Sequence, residues 1–263
     1  MTQFVEIQGE PLAVHVFEPE VHRGDALFIH GYTGSKEDFS TLGPLVAQLG
    51  YRVVTFDNRG QHESPHSERV GAYTIPSLAR DALALAGHFA LERPHLLGHS
   101  FGGLVAQQAV VMSPASWASL TLFCSGPGAF PETTELQQTV TRLDTMTMAE
   151  VWDEYRDAEA RTRKHYDLRK RRWTMSDPRS VITHARHLMT EASCVPQVRQ
   201  TGVPVHVVYG EHDDAWPLAL QDEMAAQLQA PVSVIPGAGH SPNEDAPEYT
   251  AAVLTAFWDA HTG

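Results

Sequence analysis

The stretch Leu96-Leu97-Gly98-His99-Ser100-Phe101-Gly102-Gly103 constrains the fold of this chain more than any other. Gly98 and Gly102 flank Ser100 in the G-x-S-x-G spacing of a nucleophile elbow, a sharp turn from a strand into a helix. Such a turn leaves no room for a Cβ at the flanking positions. It holds the serine hydroxyl clear of the backbone, with a helix N-terminus facing any negative charge that develops. The spacing makes Ser100 a candidate nucleophile; the alternative is an ordinary glycine-rich turn.

Apolar runs and helical segments alternate on both sides of this motif. The predicted strands are Phe4–Ile7, Leu12–Phe17, Ala26–Ile29, Arg52–Phe56, His95–Leu97, Ser119–Phe123, Val203–Tyr209 and Val232–Ile235, the first two forming a hairpin at a sheet edge. The predicted helices lie at about 36–49, 76–91, 104–112, 217–229 and 247–261. Strands alternating with helices predict an α/β fold with a mostly parallel, doubly wound sheet. Ligands of such sheets bind beyond the carboxyl ends of the strands.

The strand pattern stops between residues 129 and 200, which read as several helices rich in Arg, Met and Trp. Residues 142–199 hold 12 of the 19 Lys and Arg but only 9 of the 32 acidic residues, a net charge of +3 in a chain of net charge −13. Residues 200–263 contain no Lys or Arg. This shift in composition predicts an insertion at 129–200, called the helical segment below, between two parts of one core domain, 1–128 and 201–263.

Five motifs, in this order and on these loops, resemble the α/β-hydrolase superfamily. They are His30-Gly31, Asp57-x-Arg59-Gly60, Gly98-His99-Ser100-Phe101-Gly102, Gly210-x-x-Asp213 and Gly239-His240. They extend over nearly the whole chain, and the helical segment is the part least matched. The resemblance implies the α/β-hydrolase fold with an inserted helical cap.

A serine hydroxyl needs an adjacent base to act as a nucleophile at neutral pH. His240 is the candidate base, because it lies in a turn-rich loop after the last predicted strand and such a loop can bring its imidazole to Ser100. The resemblance implies that Asp213 is the acid that orients this histidine, with Asp214 as the alternative. The chain order Ser100, Asp213, His240 is the order of the superfamily. His99 is expected to be a structural neighbour that points away.

An oxyanion hole requires two backbone N–H donors. The resemblance implies the N–H of Phe101, which directly follows the nucleophile, and the N–H of Tyr32, in the loop after the strand that ends at Ile29. The alternative is that Tyr32 is only a packing residue. His30 is expected to brace this loop and is counted among the candidate pocket residues.

The helical segment is expected to cover Ser100. Trp152, Tyr155 and Trp173 are candidates for lining an apolar substrate pocket there. The alternative is that these aromatic residues hold the helices of the segment together. The basic runs 161–165 and 169–172 are candidates for attracting an anionic substrate, with a solvated helix face as the alternative.

The loop Asp57 to Ser64 resembles the D-x-R-G-x-G-x-S loop of the superfamily, with His62 at the position of the middle glycine. Because that position can use a positive φ, we expect the local backbone to differ here. Asp57 and Arg59 are interpreted as structural. His62 and His66 suggest a metal site only weakly, since no third ligand has a matching spacing, and no metal is predicted.

The function implied is a serine hydrolase that cleaves a carboxylic ester, a thioester or a lactone of a small apolar substrate, without a cofactor. Two alternatives stay open. One keeps the triad and cleaves a carbon–carbon bond or eliminates pyruvate, as the synthase of menaquinone biosynthesis does; His30 to Ser35 resemble that enzyme. The other is a ligand receptor or signalling protein with slow turnover. Fold alone does not choose among them.

Composition excludes several other classes. A net charge of −13 disfavours nucleic acid as a partner. The first residues have neither the basic start nor the apolar run of a signal peptide, and no stretch is long and apolar enough to cross a membrane. Cys124 and Cys194 do not form a disulfide framework. We therefore expect a cytoplasmic protein, monomeric or homodimeric, that acts on a small molecule and not at a membrane.

Overall fold

Eight strands form one sheet in the computed structural model, which describes residues 1–161 and 165–261. The strands are β1 Gln3–Ile7, β2 Glu10–Phe17, β3 Gly24–Ile29, β4 Tyr51–Phe56, β5 His95–His99, β6 Ser119–Phe123, β7 Val205–Gly210 and β8 Val232–Ile235. Their order across the sheet is β1-β2-β4-β3-β5-β6-β7-β8. The β1–β2 and β2–β4 pairs are antiparallel, and all other pairs are parallel. The predicted α/β-hydrolase fold, with its antiparallel edge hairpin, is confirmed.

The helices outside the helical segment are α1 Leu42–Gln48, α2 Ile75–His88, α3 Phe101–Met112, α10 Leu218–Leu228, α11 Pro242–Asp245 and α12 Pro247–Asp259. Within the segment they are α4 Thr134–Leu143, α5 Met148–Val151, α6 Asp157–Ala160, α7 Tyr166–Met175, α8 Pro178–Thr190 and α9 Val195–Gln200. A π-helical turn, Trp152–Arg156, connects α5 to α6, and short 3₁₀ helices occur at Lys36–Phe39 and Pro114–Ser116. Between these helices the described residues of the segment form turns and loops, and none of them belongs to a strand, in line with the prediction.

The central strands are apolar on both sides because helices cover both faces of the sheet. In β3, Leu27 and Ile29 belong to one core cluster, whereas Ala26 and Phe28 belong to the other. The first cluster includes side chains of α2, α3 and α10, and the second includes side chains of α1 and α12. Alternate residues of a strand point to opposite faces, so a continuous apolar run is what a doubly covered strand requires.

The predicted helix at 36–49 is divided in two. A 3₁₀ turn ends at Phe39, and α1 begins at Leu42. Pro44 accounts for the break, because its ring would clash with the carbonyl of Ser40 in a continuous helix and it has no N–H to donate. The interruption separates the loop that follows β3 from α1.

Parallel strands place their carboxyl ends along one edge of the sheet. Ile29, His99 and Gly210 end β3, β5 and β7, and the loops that follow carry the predicted site residues. The helical segment lies over the same edge, since residues of α4, α7 and α8 line a cavity together with Ser100 and His240. Among the described residues, none of the helices combines the length and the apolar character needed to span a bilayer.

Candidate active site

Ser100 sits at a sharp turn between β5 and α3. Its backbone has φ 53° and ψ −119°, a left-handed conformation that non-glycine residues rarely adopt. The turn is fixed by neighbouring strands, because the N–H of Ser100 donates to the carbonyl of Phe123 at 2.9 Å and its carbonyl accepts from the Ser125 hydroxyl at 2.7 Å. The surrounding structure thus holds a strained residue at the end of the sheet, a feature that clusters at active sites.

The glycines of the motif are there because the turn is crowded. A Cβ on Gly98 would overlap the carbonyl of Gly102, and one on Gly102 would overlap the carbonyl of Ile29. A Cβ on Gly103 would overlap the hydroxyl of Ser125. The spacing seen in the sequence is therefore a steric requirement of this β5–α3 junction.

His240 and Asp213 are joined by a hydrogen bond. His240 Nδ1 lies 2.8 Å from Asp213 Oδ1, although the two residues are 27 positions apart. Oδ1 also accepts from the backbone N–H of Ala215 at 3.1 Å, and Oδ2 accepts from the Gln221 amide at 3.0 Å. With Asp213 ionised, Nδ1 carries the proton of the bond and Nε2 of His240 is left as the basic nitrogen.

Asp213 is held in its charged form. Burial by itself would raise the pKa of this carboxyl, but the hydrogen bonds from His240, Gln221 and Ala215 outweigh it and hold the pKa below its ordinary value. Asp214, the alternative named from the sequence, is exposed at the cavity and has no hydrogen bond to His240. The structure therefore brings Asp213 and His240 together, and leaves Asp214 at the rim.

Ser100 and His240 line the same cavity. The hydrogen bonds of the described residues join His240 to Asp213 and to His99, and none of them joins it to the Ser100 hydroxyl. Bonds between catalytic groups are often long or absent before substrate binds.

His99 is closer to the site than the sequence analysis expected. Its Nε2 lies 2.8 Å from the backbone carbonyl of His240, to which it donates, and its ring is 4.9 Å from the His240 ring. Burial, and next to it the neighbouring His240, lower the pKa of His99 to about 4, so the ring is neutral. His99 also lines the cavity. Its place beside Ser100 in the chain was the one signal that could have pointed to this contact.

The loop after β3 packs directly on the elbow. A Cβ on Gly31 would come within 3.1 Å of both His99 Nδ1 and Ser100 Cβ. The Gly34 N–H donates to the Gly31 carbonyl at 3.0 Å, which closes the loop around Tyr32. Among the described loops, the N–H groups of Tyr32 and Phe101 donate to no other backbone carbonyl.

His30 differs from its predicted place in the pocket. It is fully buried and does not line the cavity. Its Nε2 accepts from the N–H of Asn58 at 3.0 Å, so Nδ1 donates to the Gly31 carbonyl at 2.8 Å. The ring braces the loop after β3 against the loop after β4, which is the bracing role that the sequence analysis also gave it.

A cavity of about 630 Å³ lies above Ser100. Its apolar wall comes from Phe130, Leu136 and Leu188, all in the helical segment, and its polar groups come largely from the loops at the carboxyl ends of the strands. The charged residues on the lining are Asp38, Glu132, Glu135, Arg156, Arg169, Arg172, Asp213, Asp214 and Glu244. The cavity is thus less apolar than the sequence suggested.

The aromatic residues predicted to line the pocket lie elsewhere. Trp152 and Trp173 are buried with Leu143, Met148 and Val151 in a cluster inside the helical segment. Tyr155 is about half exposed and stacks on the guanidinium of Arg142. None of the three aromatic residues is on the cavity lining. Their spacing on the helices served the packing of the segment, which was the alternative interpretation.

His62 keeps the backbone of the glycine it replaces. Its φ is 48°, contrary to the expectation of an altered loop. Its Nδ1 lies 3.2 Å from Glu37 Oε2 and 3.3 Å from Asp57 Oδ2, close enough for ion pairs although without hydrogen-bond geometry. Burial alone would lower the pKa of His62, but the carboxylates of Asp57 and Glu37 outweigh it and raise the pKa to about 9. His62 therefore combines a positive φ with two ion pairs made by its side chain.

Two groups of potential metal ligands occur in the described residues: Glu37 with His62 and Glu63, and His99 with Cys124 and His240. In the first group the Lys36 ammonium lies 2.7 Å from both glutamates, and it already supplies the positive charge that a metal would bring. The second group is the base region of the site just described. Neither donor set calls for a metal ion.

Asp57 and Arg59 have the structural roles that the sequence analysis gave them. Asp57 accepts from the backbone N–H and the ammonium of Lys36 at 2.7 and 3.0 Å. Arg59 is buried and bonds both oxygens of Asp81 at 2.7 Å. The basic run 161–165 includes residues 162–164, which lie outside the described residues. Of the run 169–172, Arg169 and Arg172 line the cavity.

Comparisons with known proteins agree with this architecture. Residues 26–253 match the Alpha/beta hydrolase family. The 3-oxoadipate enol-lactonase 1 of Acinetobacter baylyi is 25% identical over 264 residues, which cover 95% of this chain and 94% of that protein. RutD of Variovorax paradoxus, named as a carbamate hydrolase, is 38% identical over 108 residues, so the match spans 39% of this chain and 40% of RutD. An esterase structure from Exiguobacterium antarcticum has a TM-score of 0.80 at 17% identity, covers 98% of this chain and 100% of that one, and shows the fold alone.

Proposed function

The chain belongs to the alpha/beta hydrolase family, and from this premise we propose that it is a serine hydrolase that cleaves small carboxylic esters, thioesters or lactones. One observation carries the proposal: Ser100 on its strained elbow shares a cavity with His240, whose Nδ1 is bonded to the buried carboxylate of Asp213. A nucleophile, a base and an acid that orients the base are the parts that acyl transfer requires.

In the proposed mechanism, Ser100 Oγ attacks the carbonyl carbon of the ester while His240 Nε2 takes its proton. Asp213 keeps the ring in the tautomer with Nδ1 protonated and stabilises the imidazolium that forms. The proton then passes from Nε2 to the leaving alcohol, and the C–O bond breaks to give an acyl-Ser100 intermediate. Water, activated by the same nitrogen, releases the acid and restores the serine. The residues present supply every proton transfer, so the mechanism invokes no cofactor.

The negative charge of each tetrahedral intermediate requires fixed donors. The N–H groups of Phe101 and Tyr32 are proposed to hold it, because Phe101 directly follows Ser100 and Tyr32 follows Gly31, which packs on the elbow. In the described loops neither N–H is used by another backbone carbonyl. Close packing of Gly31 on the elbow supports a fixed distance between the two loops. Removing one such donor in other enzymes costs about 10²–10³ in rate.

The helical segment is proposed to act as a cap, inserted at 129–200 between the core parts 1–128 and 201–263. Its Leu136 and Leu188 form a wall of the cavity above Ser100. Contacts with the core support a fixed position, since the N–H of Asp177 donates to the Gly60 carbonyl at 2.7 Å and Tyr73 donates to the Asp177 carboxylate at 2.7 Å. The similarity to a protein named as an enol-lactonase, over 95% of this chain, supports the choice of esters and lactones as substrates.

The proposal is tested with a series of p-nitrophenyl esters, from acetate to long acyl chains. We expect the wild-type protein to release nitrophenolate and Ser100→Ala to reduce kcat by at least about 10³-fold, as loss of a triad residue does. Ser113→Ala, at the other end of α3, is the matched control and should keep the wild-type rate. The best chain length measures the depth of the cavity.

Equal background rates in the wild-type and Ser100→Ala proteins would contradict the proposal. Turnover of an anionic diketone without any ester hydrolysis would assign the same residues to carbon–carbon cleavage. Tight binding of a small ligand with negligible turnover would favour a receptor.

A further inference from the structure

One polar side chain lies in the apolar stripe of α10. The buried residues of this helix are Gln221, Met224, Ala225 and Leu228, which recur at the spacing of a single helix face. Gln221 is fully buried, although glutamine is mostly an exposed residue in folded proteins. Burying an amide is costly unless it forms hydrogen bonds, so the partners of Gln221 indicate why the core accepts it here.

The Gln221 amide donates to two acceptors of one turn. Its Nε2 lies 3.0 Å from Asp213 Oδ2 and 3.3 Å from the carbonyl oxygen of Trp216. Because both neighbours are acceptors, the atom between them is the amide nitrogen and not the amide oxygen. The oxygen, Oε1, has no hydrogen-bond partner among the described residues. The contacts of this side chain are therefore made by its two N–H groups.

The turn that Gln221 contacts is the one that carries the proposed acid. Asp213 Oδ1 accepts from the N–H of Ala215 at 3.1 Å, and the N–H of Trp216 lies 3.5 Å from the same oxygen. Oδ1 is also the atom that lies 2.8 Å from His240 Nδ1. The bond from Gln221 is made to the other oxygen, Oδ2, and it restrains the rotation of the carboxylate about its Cβ–Cγ bond.

None of the other titratable groups near Asp213 neutralises it. Besides His240, the groups that act on it in the described part of the chain are Cys124 and His99. Burial, and after it the nearby Asp213, raise the pKa of the Cys124 thiol well above its ordinary value. Burial lowers the pKa of His99 to about 4. Both groups are uncharged near pH 7, and the Gln221 amide has no charge at any pH.

We propose that Gln221 is a positioning residue, whose amide holds the Asp213 carboxylate in the orientation in which Oδ1 accepts the proton of His240 Nδ1. The proposal rests on the serine hydrolase function and adds a residue to that site. Gln221 is not on the cavity lining, so it acts on the reaction only through Asp213. A neutral donor suits this task, because it fixes the carboxylate without cancelling the charge that stabilises the imidazolium.

Two substitutions of similar size separate the hydrogen bond from the packing. Gln221→Met keeps the length of the side chain and donates nothing. Gln221→Glu keeps its shape and donates only while the new carboxyl is protonated, a state that burial and the neighbouring Asp213 favour at low pH. Gln227→Met is the matched control, since Gln227 is an exposed glutamine of the same helix whose amide bonds Glu223.

The kinetics are measured with p-nitrophenyl acetate from pH 5.5 to 8.5, and each kcat is divided by the wild-type value at the same pH. We expect Gln221→Met to lower kcat about tenfold at pH 8 with KM within about twofold, because the lost bond acts through the acid and not on the substrate. Its ratio should fall further toward pH 5.5, since a carboxylate that has lost a donor is protonated more readily. Gln221→Glu should show the opposite slope, with a ratio close to one at pH 5.5 that falls as the new carboxyl ionises and repels Asp213.

A second measurement does not depend on turnover. The carboxyl ¹³C signal of Asp213, in protein labelled at its aspartates and assigned by its loss in Asp213→Asn, reports the pKa of this group. We expect Gln221→Met to raise that pKa by about one unit, because it removes one of the bonds that favour the charged form. Gln227→Met should leave it unchanged. Melting temperatures show whether each variant is folded under the conditions of the measurements.

Opposite slopes for the two Gln221 variants, together with the raised pKa of Asp213, would support the proposal. Ratios that do not change with pH and an unchanged Asp213 pKa in Gln221→Met would overturn it, as would equal losses in Gln221→Met and Gln227→Met. A raised Asp213 pKa in a protein without Ser100-dependent hydrolysis would keep the effect of Gln221 on Asp213 and refute the proposed reaction.

Discussion

Two neighbouring carboxylates, Asp213 and Asp214, differ in what surrounds them. Asp213 is buried and accepts from His240, Ala215 and Gln221. Asp214 is exposed and reaches only the rim of the cavity. A fixed carboxylate can hold an imidazole in one tautomer and stabilise its charged form, whereas a solvated one cannot.

Replacing each of these two aspartates separately by asparagine gives a matched test. We expect Asp213→Asn to lower kcat for p-nitrophenyl acetate by about 10³–10⁴-fold, because an amide neither selects the correct tautomer nor stabilises imidazolium. Asp214→Asn should stay within about threefold of the wild type, since an exposed charge is screened. Steady-state kinetics of both proteins decide the matter, and a larger loss in Asp214→Asn would refute the assignment of Asp213.

At this scale the sequence located the residues of the candidate site better than the residues that surround them. Ser100 and His240 could be identified because their chemistry imposes local patterns, a glycine-flanked turn and a turn-rich loop after the last strand. Trp152 and Trp173 were wrongly placed at the pocket. The spacing of apolar residues on a helix predicts which face is buried, but it does not say which part of the protein that face packs against. Arg156 could not be located at all, since its direction depends on a π-helical turn that periodicity does not reveal.

The β5–α3 junction is the element on which the site depends. It brings Gly98, Ser100 and Gly102 so close to the end of β3 that backbone atoms fill the space of the missing Cβ atoms. The same contact fixes where the first N–H of α3, that of Phe101, points. We therefore expect stability and the proposed hydrolysis to be coupled at this junction, so that one added methyl group disturbs both.

We expect Gly102→Ala to lower the free energy of unfolding by about 1–3 kcal/mol, as overpacking does, because the new Cβ would overlap the Ile29 carbonyl. It should also reduce kcat, since relief of the overlap moves the N-terminus of α3. Gly87→Ala is the control: no atom lies within 4 Å of its Cβ position in α2, and the change should stabilise the protein by about 0.5–1 kcal/mol. Urea unfolding measures the stability of both variants, and the hydrolysis rate measures their kcat. If Gly102→Ala changed neither quantity, the junction would be able to accommodate the added Cβ.

Elements were predictable where one physical cause determines them. The buried strands follow from apolar runs, because a sheet covered on both faces admits little else. The division of the helix at 36–49 was missed although Pro44 marks it, since a proline is also tolerated in the first turn of a helix. The choice between one continuous helix and two shorter ones depends on a contact that sequence does not reveal: Asp57, 21 positions away, accepts a hydrogen bond from the backbone N–H of Lys36.

At the scale of the whole molecule, a set of charges, buried on its core side, joins the core to the helical segment. Lys36 contacts Asp57, Glu37 and Glu63, and His62 lies beside two of these carboxylates. Arg171 of α7 bonds Glu63 at 2.8 Å from the other side. Three cations thus face three carboxylates when His62 is protonated, and the set loses its balance when His62 gives up its proton.

The consequence for stability has a definite sign. The pKa of His62 is about 9 in the folded protein, against an ordinary value of 6.5. A group whose pKa is raised on folding contributes stability that is complete below pH 6.5 and is lost as the pH rises through 9. One pKa unit corresponds to about 1.4 kcal/mol, so the contribution amounts to about 3 kcal/mol at most.

We therefore expect the free energy of unfolding of the wild-type protein to fall between pH 6.5 and 9 by up to about 3 kcal/mol more than that of His62→Gln. The comparison is made by urea unfolding at each pH, because groups that titrate in both proteins cancel in the difference. His66→Gln, an exposed position four residues on, is the control and should follow the wild type. Parallel pH profiles for the wild type and His62→Gln would show that the carboxylates around Lys36 are balanced without the charge of His62.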